Sequence, residues 1–188
     1  MMPVSPDLSD GDLAAMALAG REDAYRRLLN RHRDYLFRLL RNVVGDADAA
    51  LDISQEAFIA AFAALRSYDG NRPFRFWLSR IALNKARDWA RRRKVRAFFT
   101  RAVGLDHAAN IADPDAHPDT VAADKAELAQ VMGAILQLPQ NLREVLILRT
   151  VEELSEAETA NVLGINAKAV ETRLYRARKQ LSAIRDTA

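Results

Sequence analysis

Apolar residues recur three and four positions apart along nearly the whole chain, the period of a helix that buries one face. No stretch shows the two-residue alternation of a strand, so the pattern predicts an all-α protein. Ser9 with Asp12 starts a short helix over about 13–19. One or two longer helices follow over 22–44, with Tyr25, Leu28, Leu29, Tyr35, Leu36, Leu39 and Leu40 as the buried face and Gly45 as the stop. Asp46 or Asp48 caps the next helix, which runs to about 65 with Leu51, Phe58, Phe62 and Leu65 inward. The segment SYDGNRP reads as a turn with Pro73 at a first helical position, and a helix over 74 to about 96 follows. The periodicity then stops. Residues 100–120 hold Pro114, Pro118 and four Asp with little core material, which predicts an inter-domain linker, with room for a short helix near 98–103. Beyond it the period returns over 123–136, 139–151 and two closing helices. The division is a first domain over 1–97, a linker over 98–122 and a second domain over 123–188.

Charge sharpens this division. The net charge is only +3, yet 72–101 carries eleven basic residues against one acid, and 168–185 carries six against one. Residues 102–130 hold six acids and one base. Clustered cations bind phosphate by releasing counterions, and Arg outnumbers Lys 23 to 5, which suits forked contacts to phosphate and guanine. The chain has no Cys, so disulfides and thiolate metal sites are excluded. The first twelve residues are acidic and lack a signal-peptide pattern, and the longest apolar run, 57–65, is far too short for a membrane span. A soluble cytoplasmic protein is the expectation.

The C-terminal region carries the sharpest motif. Ser155 and Glu158 form a capping box, Gly164 sits where the helix must end, and Asn166 caps a second helix running to about 184. Ala160, Leu163, Ile165, Val170 and Leu174 are spaced to pack the two helices crosswise. Lys168, Thr172, Arg173 and Arg176 fall on the other face, where a helix-turn-helix reads base edges. Arg149, Arg178 and Lys179 are placed for phosphates. A charge run on a helix is more often only a solvated face; here capping box, turn glycine and cation placement agree. Glu171 lies near the same face, where it either repels phosphate or accepts from a cytosine amino group.

The upstream basic block has two faces. Phe74, Trp77, Leu78 and Ile81 form an apolar stripe, and both Trp77 and Trp89 are expected mainly in the core. Arg80, Asn84, Arg87 and Arg91 share the opposite face. The preceding turn with Arg72, and Phe74 or Phe76 at its edge, offers a place for an unstacked base, since single strands are held by cationic grooves beside aromatic platforms. Between the blocks, Asp52, Gln55, Glu56 and Ile59 form a stripe beside Phe58 and Phe62. Early acids answer to the helix dipole, or the stripe serves a basic partner helix. The Phe98–Phe99 pair is either an exposed apolar contact or a small core extension. There is no Gly-rich phosphate loop, no carboxylate cluster, and His32, His107 and His117 lack ligand spacing, which argues against a nucleic-acid enzyme.

Taken in order, these motifs resemble a bacterial RNA polymerase sigma factor of the extracytoplasmic-function type. The resemblance rests on LDISQEAF, FRFWLSRIALN, the RRRK run, Leu138-Pro139 with REVL, Gly164-Ile165 and RLYRAR, and covers about 24–181 except the linker. It implies that Asp52, Gln55, Glu56 and Ile59 dock on the beta-prime subunit of core RNA polymerase. It implies that Arg72, Phe74, Phe76, Arg80, Asn84, Arg87 and Arg91 take the melted minus-ten strand, with Asn84 reading a base. Lys168, Glu171, Thr172, Arg173, Arg176 and Arg149 would meet the duplex minus-thirty-five element while the second module sits on the beta-subunit flap. The acidic linker would mimic nucleic acid along the RNA exit path. An anti-sigma protein is an implied partner, no cofactor is expected, and the polymerase performs the catalysis. The chain departs from the family at Leu51, where an acid is usual, at Lys168, where a small residue is usual, and at Glu171, often Lys. The competing reading is a helix-turn-helix regulator that binds duplex DNA without joining a polymerase. Asp52→Arg separates the two: it is expected to lower affinity for core polymerase roughly tenfold by repelling a basic helix, and unchanged capture in a pull-down with core would refute it.

Overall fold

The Ser9 hydroxyl oxygen accepts a hydrogen bond from the Asp12 N–H, and the Asp12 carboxylate accepts one from the Ser9 N–H, both 3.1 Å. This reciprocal cap starts α1 (Asp10–Leu18) three residues before the apolar pattern begins. The computed structural model describes residues 8–102 and 122–185, and among them every regular element is helical. The length 22–44 is one uninterrupted helix, α2 (Glu22–Val44), opened by Glu22 and Asp23 in the dipole-favoured first turn and buried along Ala24, Leu28, His32, Leu36, Leu39, Leu40 and Val43. The Asp46 side chain accepts from the Ala49 N–H at 3.0 Å and starts α3 (Ala47–Ala63).

The inward face of α3 is smaller than the sequence suggests. Ala50, Ile53, Ala57, Phe58 and Ala61 are buried, whereas Leu51, expected on the core stripe, is 50% exposed. Small side chains line the face of α3 that packs on α2 and α4, and Leu51 lies on its flank. A 3-10 turn (Leu65–Ser67) leads through a loop into α4 (Phe74–Ala102). This helix does not stop near 96. Residues 92–102 contain no Gly or Pro, so nothing breaks it, and Phe98 and Phe99 ride on its last turns 70% and 61% exposed, outside the core. The first residues assigned to the linker, 98–102, are therefore helix. Residues 103–121 of that linker, with His107 and His117, lie outside the described residues.

The second module comprises α5 (Ala122–Gln137), α6 (Gln140–Thr150), α7 (Glu156–Leu163) and α8 (Ala167–Arg185). Its centre is α6, buried at Leu142 and continuously from Glu144 to Leu148. The predicted caps are present: Ser155 and Glu158 bond reciprocally, and Asn166 Oδ1 accepts from the Ala169 N–H at 2.8 Å. The two modules pack together, α2 against α5 and α6, and α4 against α7. At this seam Arg143 Nη1 donates to the Val43 carbonyl at 2.7 Å, a cation at the negative end of α2.

Gly45 ends α2 with a φ of 76°, and a Cβ built there would lie 2.5 Å from Leu136 Cδ1. Gly45→Ala is therefore expected to cost about 2 kcal/mol, from the left-handed backbone and the displaced leucine together. The shift of the urea midpoint measures it, and an unchanged midpoint would contradict the packing at the seam.

Candidate nucleic-acid and protein interfaces

Helix α8 turns Val170 and Ala177 wholly inward and keeps Leu174 half-buried against its neighbours. On its other side Lys168, Glu171 and Arg176 are exposed and Thr172 and Arg173 half-exposed. Thr172 spends its hydroxyl on the Lys168 carbonyl at 2.8 Å. Lys168 Nζ donates to Glu171 at 2.7 Å, and this hydrogen bond raises the lysine pKa above its ordinary value. Glu171 and Lys168 thus cancel, leaving the positive field of the face to Arg173, Arg176, Arg178 and Lys179. Tyr175, 68% exposed on the same helix, was not singled out from the sequence; its place three residues after Thr172 was the available signal. Arg149 is half-buried and donates to the Leu154 carbonyl, so it holds the loop between α6 and α7.

On α4 the four residues Arg80, Asn84, Arg87 and Arg91 do share one face, but most of them already have protein partners. Arg87 Nε lies 3.0 and 3.1 Å from the two Glu144 oxygens, and its Nη2 donates to Oε2 at 2.6 Å. Its Nη1 donates to Asn84 Oδ1 at 2.9 Å. The Glu144 side chain is 1% exposed, and Gln140 Nε2 donates to it at 3.1 Å. Arg91 pairs with Asp88 at 3.0 Å and Arg72 with Asp69 at 3.3 Å, both exposed. Arg80 lies over the helix-turn-helix glycine, its Nη2 3.4 Å from a Cβ built on Gly164. The part of the expected minus-ten face formed by Arg80, Asn84 and Arg87 therefore looks at the second module.

Phe74 requires a correction. It is 0% exposed, with ring centroids 5.1 Å from His32, 5.1 Å from Tyr68 and 5.4 Å from Trp77. A ring enclosed on those sides has no free surface for a base, and it serves as the floor beneath the loop. Phe76 is half-buried under the Arg75 guanidinium, 4.8 Å from its centroid. Trp77 and Trp89 are only half-buried, the latter covered by Arg93 at 5.2 Å.

The α3 stripe turns out to be a ridge between two grooves. Asp52, Gln55, Glu56 and Ile59 are all exposed, Ile59 to 71%. Gln55 and Ile59 border an apolar groove of about 660 Å³ lined by Leu29, Phe37, Leu51, Phe58 and Phe62. Asp52 and Glu56 border a charged one of about 630 Å³ between α3 and α4, with Trp89, Arg92, Val95 and Arg96. Glu56 is within 3.7 Å of Lys85 and 3.9 Å of Arg92. The apolar members Leu29, Phe37 and Leu51 were not singled out as a surface. Phe37, off the main α2 stripe, was the one legible hint. Among the described residues no group of three or more His, Cys, Asp or Glu could hold a metal ion.

The chain matches two family models, Sigma-70 region 2 over residues 28–96 and Sigma-70, region 4 over residues 128–181. It is similar to the RNA polymerase sigma factor CnrH of Cupriavidus metallidurans, 39% identical over 97% of each chain. It is also similar to the ECF RNA polymerase sigma factor SigW of Bacillus subtilis, 32% identical over 86% of this chain and 89% of that protein. Among solved structures, CnrH in complex with the cytosolic domain of CnrY matches with a TM-score of 0.67, 34% identity, and coverage of 95% of this chain and 97% of that one.

The buried carboxylate at the seam yields a direct test. Glu144→Gln removes the charge that three Arg87 hydrogen bonds meet, and loosens the packing of the two modules by about 1–2 kcal/mol, reduced from a fully buried pair because Arg87 is partly solvated. The chain has no Cys, so dyes can be placed through single cysteines at the exposed positions Arg66 and Asn161. Energy transfer between them is expected to fall in the variant, and an unchanged value would refute the role of the pair.

Proposed function

The chain belongs to the extracytoplasmic-function class of RNA polymerase sigma factors, and we propose a division of promoter selection between its two helical modules. As a sigma factor it binds core polymerase, directs it to promoters and assists melting, while the bond chemistry belongs to the polymerase. In our reading the α3 ridge docks on core: Asp52, Gln55 and Ile59 present an acidic and apolar edge to a basic helix of the beta-prime subunit, and Leu51 extends that edge. The α4 face takes the opened non-template strand, with Arg80, Arg87 and Arg91 on phosphates, Asn84 on a base edge, and the loop at Arg72 and Phe76 beside an unstacked base. The α8 face reads the duplex minus-thirty-five element through Thr172, Arg173, Arg176 and the Lys168/Glu171 pair. Melting then follows from tighter binding of unpaired bases than of duplex, a population shift.

The observation that carries this reading is the α3 ridge. A helix-turn-helix regulator needs one cationic face; this chain has two, and beside them an exposed edge at Leu51 and Ile59 that opens onto an apolar groove. Exposed apolar surface rimmed by polar groups marks a protein contact.

The packed arrangement adds a condition. Arg87 is held by Glu144, and Arg80 faces the Gly164 turn. Strand capture by α4 thus requires the modules to part, and a strand phosphate replaces the Glu144 carboxylate, to which guanidinium binds in the same forked manner. An anti-sigma protein is part of the proposal, since the solved CnrH holds the cytosolic domain of CnrY. No described helix is long and apolar enough to cross a membrane, and we place the work in the cytoplasm, with polymerase and DNA. Run-off transcription with core polymerase on genomic fragments tests the whole reading. Defined transcripts support it; inactivity with core, together with tight duplex binding by the chain alone, would favour an ordinary regulator.

Asn84→Ala gives the finer test. Loss of one paired base contact, about 1–3 kcal/mol, should weaken recognition of the minus-ten element while affinity for core stays unchanged. An equal fall in both affinities, measured by fluorescence anisotropy with labelled core and labelled promoter, would remove Asn84 from this role.

A further inference from the structure

The loop between α3 and α4 has a rear wall made by the first helix. Gly11, in the opening turn of α1, lies directly against Gly70: a Cβ built on Gly11 would stand 2.6 Å from the Gly70 carbonyl oxygen and 3.3 Å from its carbon. The contact is one-sided. A Cβ on Gly70 would meet only the Gly11 α-carbon, at 3.4 Å, so the stringent position is on α1. Gly inside a helix is costly and is kept where backbones must approach closely.

Helix α1 cannot simply step aside. Asp10, the neighbour of Gly11, accepts from Arg31 Nη1 at 2.7 Å, and its other oxygen meets His32 Nε2 at 2.9 Å. Arg31 also donates to the Leu8 carbonyl at 3.1 Å. Burial pushes the Asp10 carboxyl up, but the hydrogen bonds from His32 and Arg31 outweigh it and hold it below its ordinary value. His32 in turn packs on Phe74, the buried floor of the loop. The loop leans on the same corner. Tyr68 packs its ring on Phe74 and Trp77 and donates its hydroxyl to the Arg72 carbonyl. Its phenol is pushed up to about 12, by burial first and then by the charges of Asp10 and Asp69. Asp69 accepts from the Asn71 N–H at 3.1 Å and its carbonyl from the Arg72 N–H at 2.9 Å.

We propose that α1 braces the loop that takes the unstacked base, and that Gly11, acting through Gly70, is a positioning residue for the opened strand. The inference rests on the reading that this loop captures a base, and it assigns a task to a helix that reading left unused. The turn from Asp69 to Arg72 is exposed and short of core contacts. Without a wall behind it, its hydrogen bonds would have to hold the pocket alone, and a pocket loose by an ångström loses much of its binding.

The test uses the protein assembled on core polymerase. As a change within a helix, Gly11→Ala should strengthen α1. The brace predicts a loss at the loop instead. Binding of a forked promoter with an unpaired minus-ten strand should fall roughly tenfold, equal to about 1.4 kcal/mol, while affinity for core and for duplex minus-thirty-five fragments stays at the parent level. Amide exchange at Asn71 and Arg72 should speed up in the same variant. Gly133→Ala, in α5 where an added Cβ meets nothing within 4 Å, is the matched control and should leave all four readings unchanged. Asp10→Asn weakens the tie of α1 to Arg31 and His32 and should show the same selective loss to a smaller degree, which keeps the idea testable if Gly11→Ala does not fold. Parent-level forked-promoter binding by both variants overturns the brace, as does a loss of core affinity that matches the loss of strand affinity. An unmodified assembly that binds forked and duplex promoters alike overturns base capture itself, and the brace with it; that result is separable because it involves no variant.

Discussion

A carboxylate 1% exposed to water is tolerable only when its charge is met, and Arg87 meets Glu144 with the Nε–Nη2 edge of its guanidinium. The pair joins α4 to α6 across the seam between the modules, and much of the structure follows from it. It sets which side of α4 faces the second module. It draws Asn84 into the same network through the remaining guanidinium nitrogen. It also puts the Gly164 turn of the helix-turn-helix beside Arg80. Apolar contacts at Leu136 and Gly45 and the Arg143 bond to the end of α2 complete the seam, but neither supplies a charge that DNA could replace. The pair holds the modules together, and under the proposed strand capture a DNA phosphate would compete with Glu144 for Arg87, so that packing of the modules and access to DNA would share one equilibrium.

Helix α3 shows how one element can serve two surfaces at once. Its alanine-rich face allows close packing, which is why larger residues such as Leu51 and Ile59 are displaced outward. What looks like poor economy for a core leaves an exposed apolar edge, the one proposed to dock on core polymerase. The acids on the same ridge are not equivalent: Glu56 is partly neutralised by Lys85 and Arg92 from α4, whereas among the described residues no ion pair reaches Asp52. In the proposed docking, the strongest electrostatic attraction toward a basic helix thus falls on Asp52.

Much of this protein was legible from residue order. The helical period gives the α-helices, the caps at Ser9, Ser155 and Asn166 are present as the sequence suggests, and of the two candidates Asp46 and Asp48 it is Asp46 that caps α3. Cation clustering places the positive charge on α4 and α8, the two faces proposed for nucleic acid. The misses share a cause. Phe74 was offered to a base because it sits at a loop edge, yet its surroundings close over it. Leu51 lies on an apolar stripe that suggests the core, and the apolar period fades near 96, which suggests an early end to α4, yet Leu51 is half exposed and the helix runs on to 102. In each case a local pattern stood in for a distance that only packing sets.

Residue order by itself determined what is local: helix positions, caps, turn chemistry, the sign of charge on each face, and membership of a sigma-factor family through motifs in a fixed sequence. Tertiary structure decided which of those faces are free. Arg87 and Glu144 lie 57 residues apart, and Gly11 and Gly70 belong to separate elements; no periodicity links either pair. Helix formation depends on neighbours within one turn, whereas the partner of a guanidinium or the wall behind a loop is chosen by how whole helices pack, and that choice is made by the sum of buried contacts over both modules.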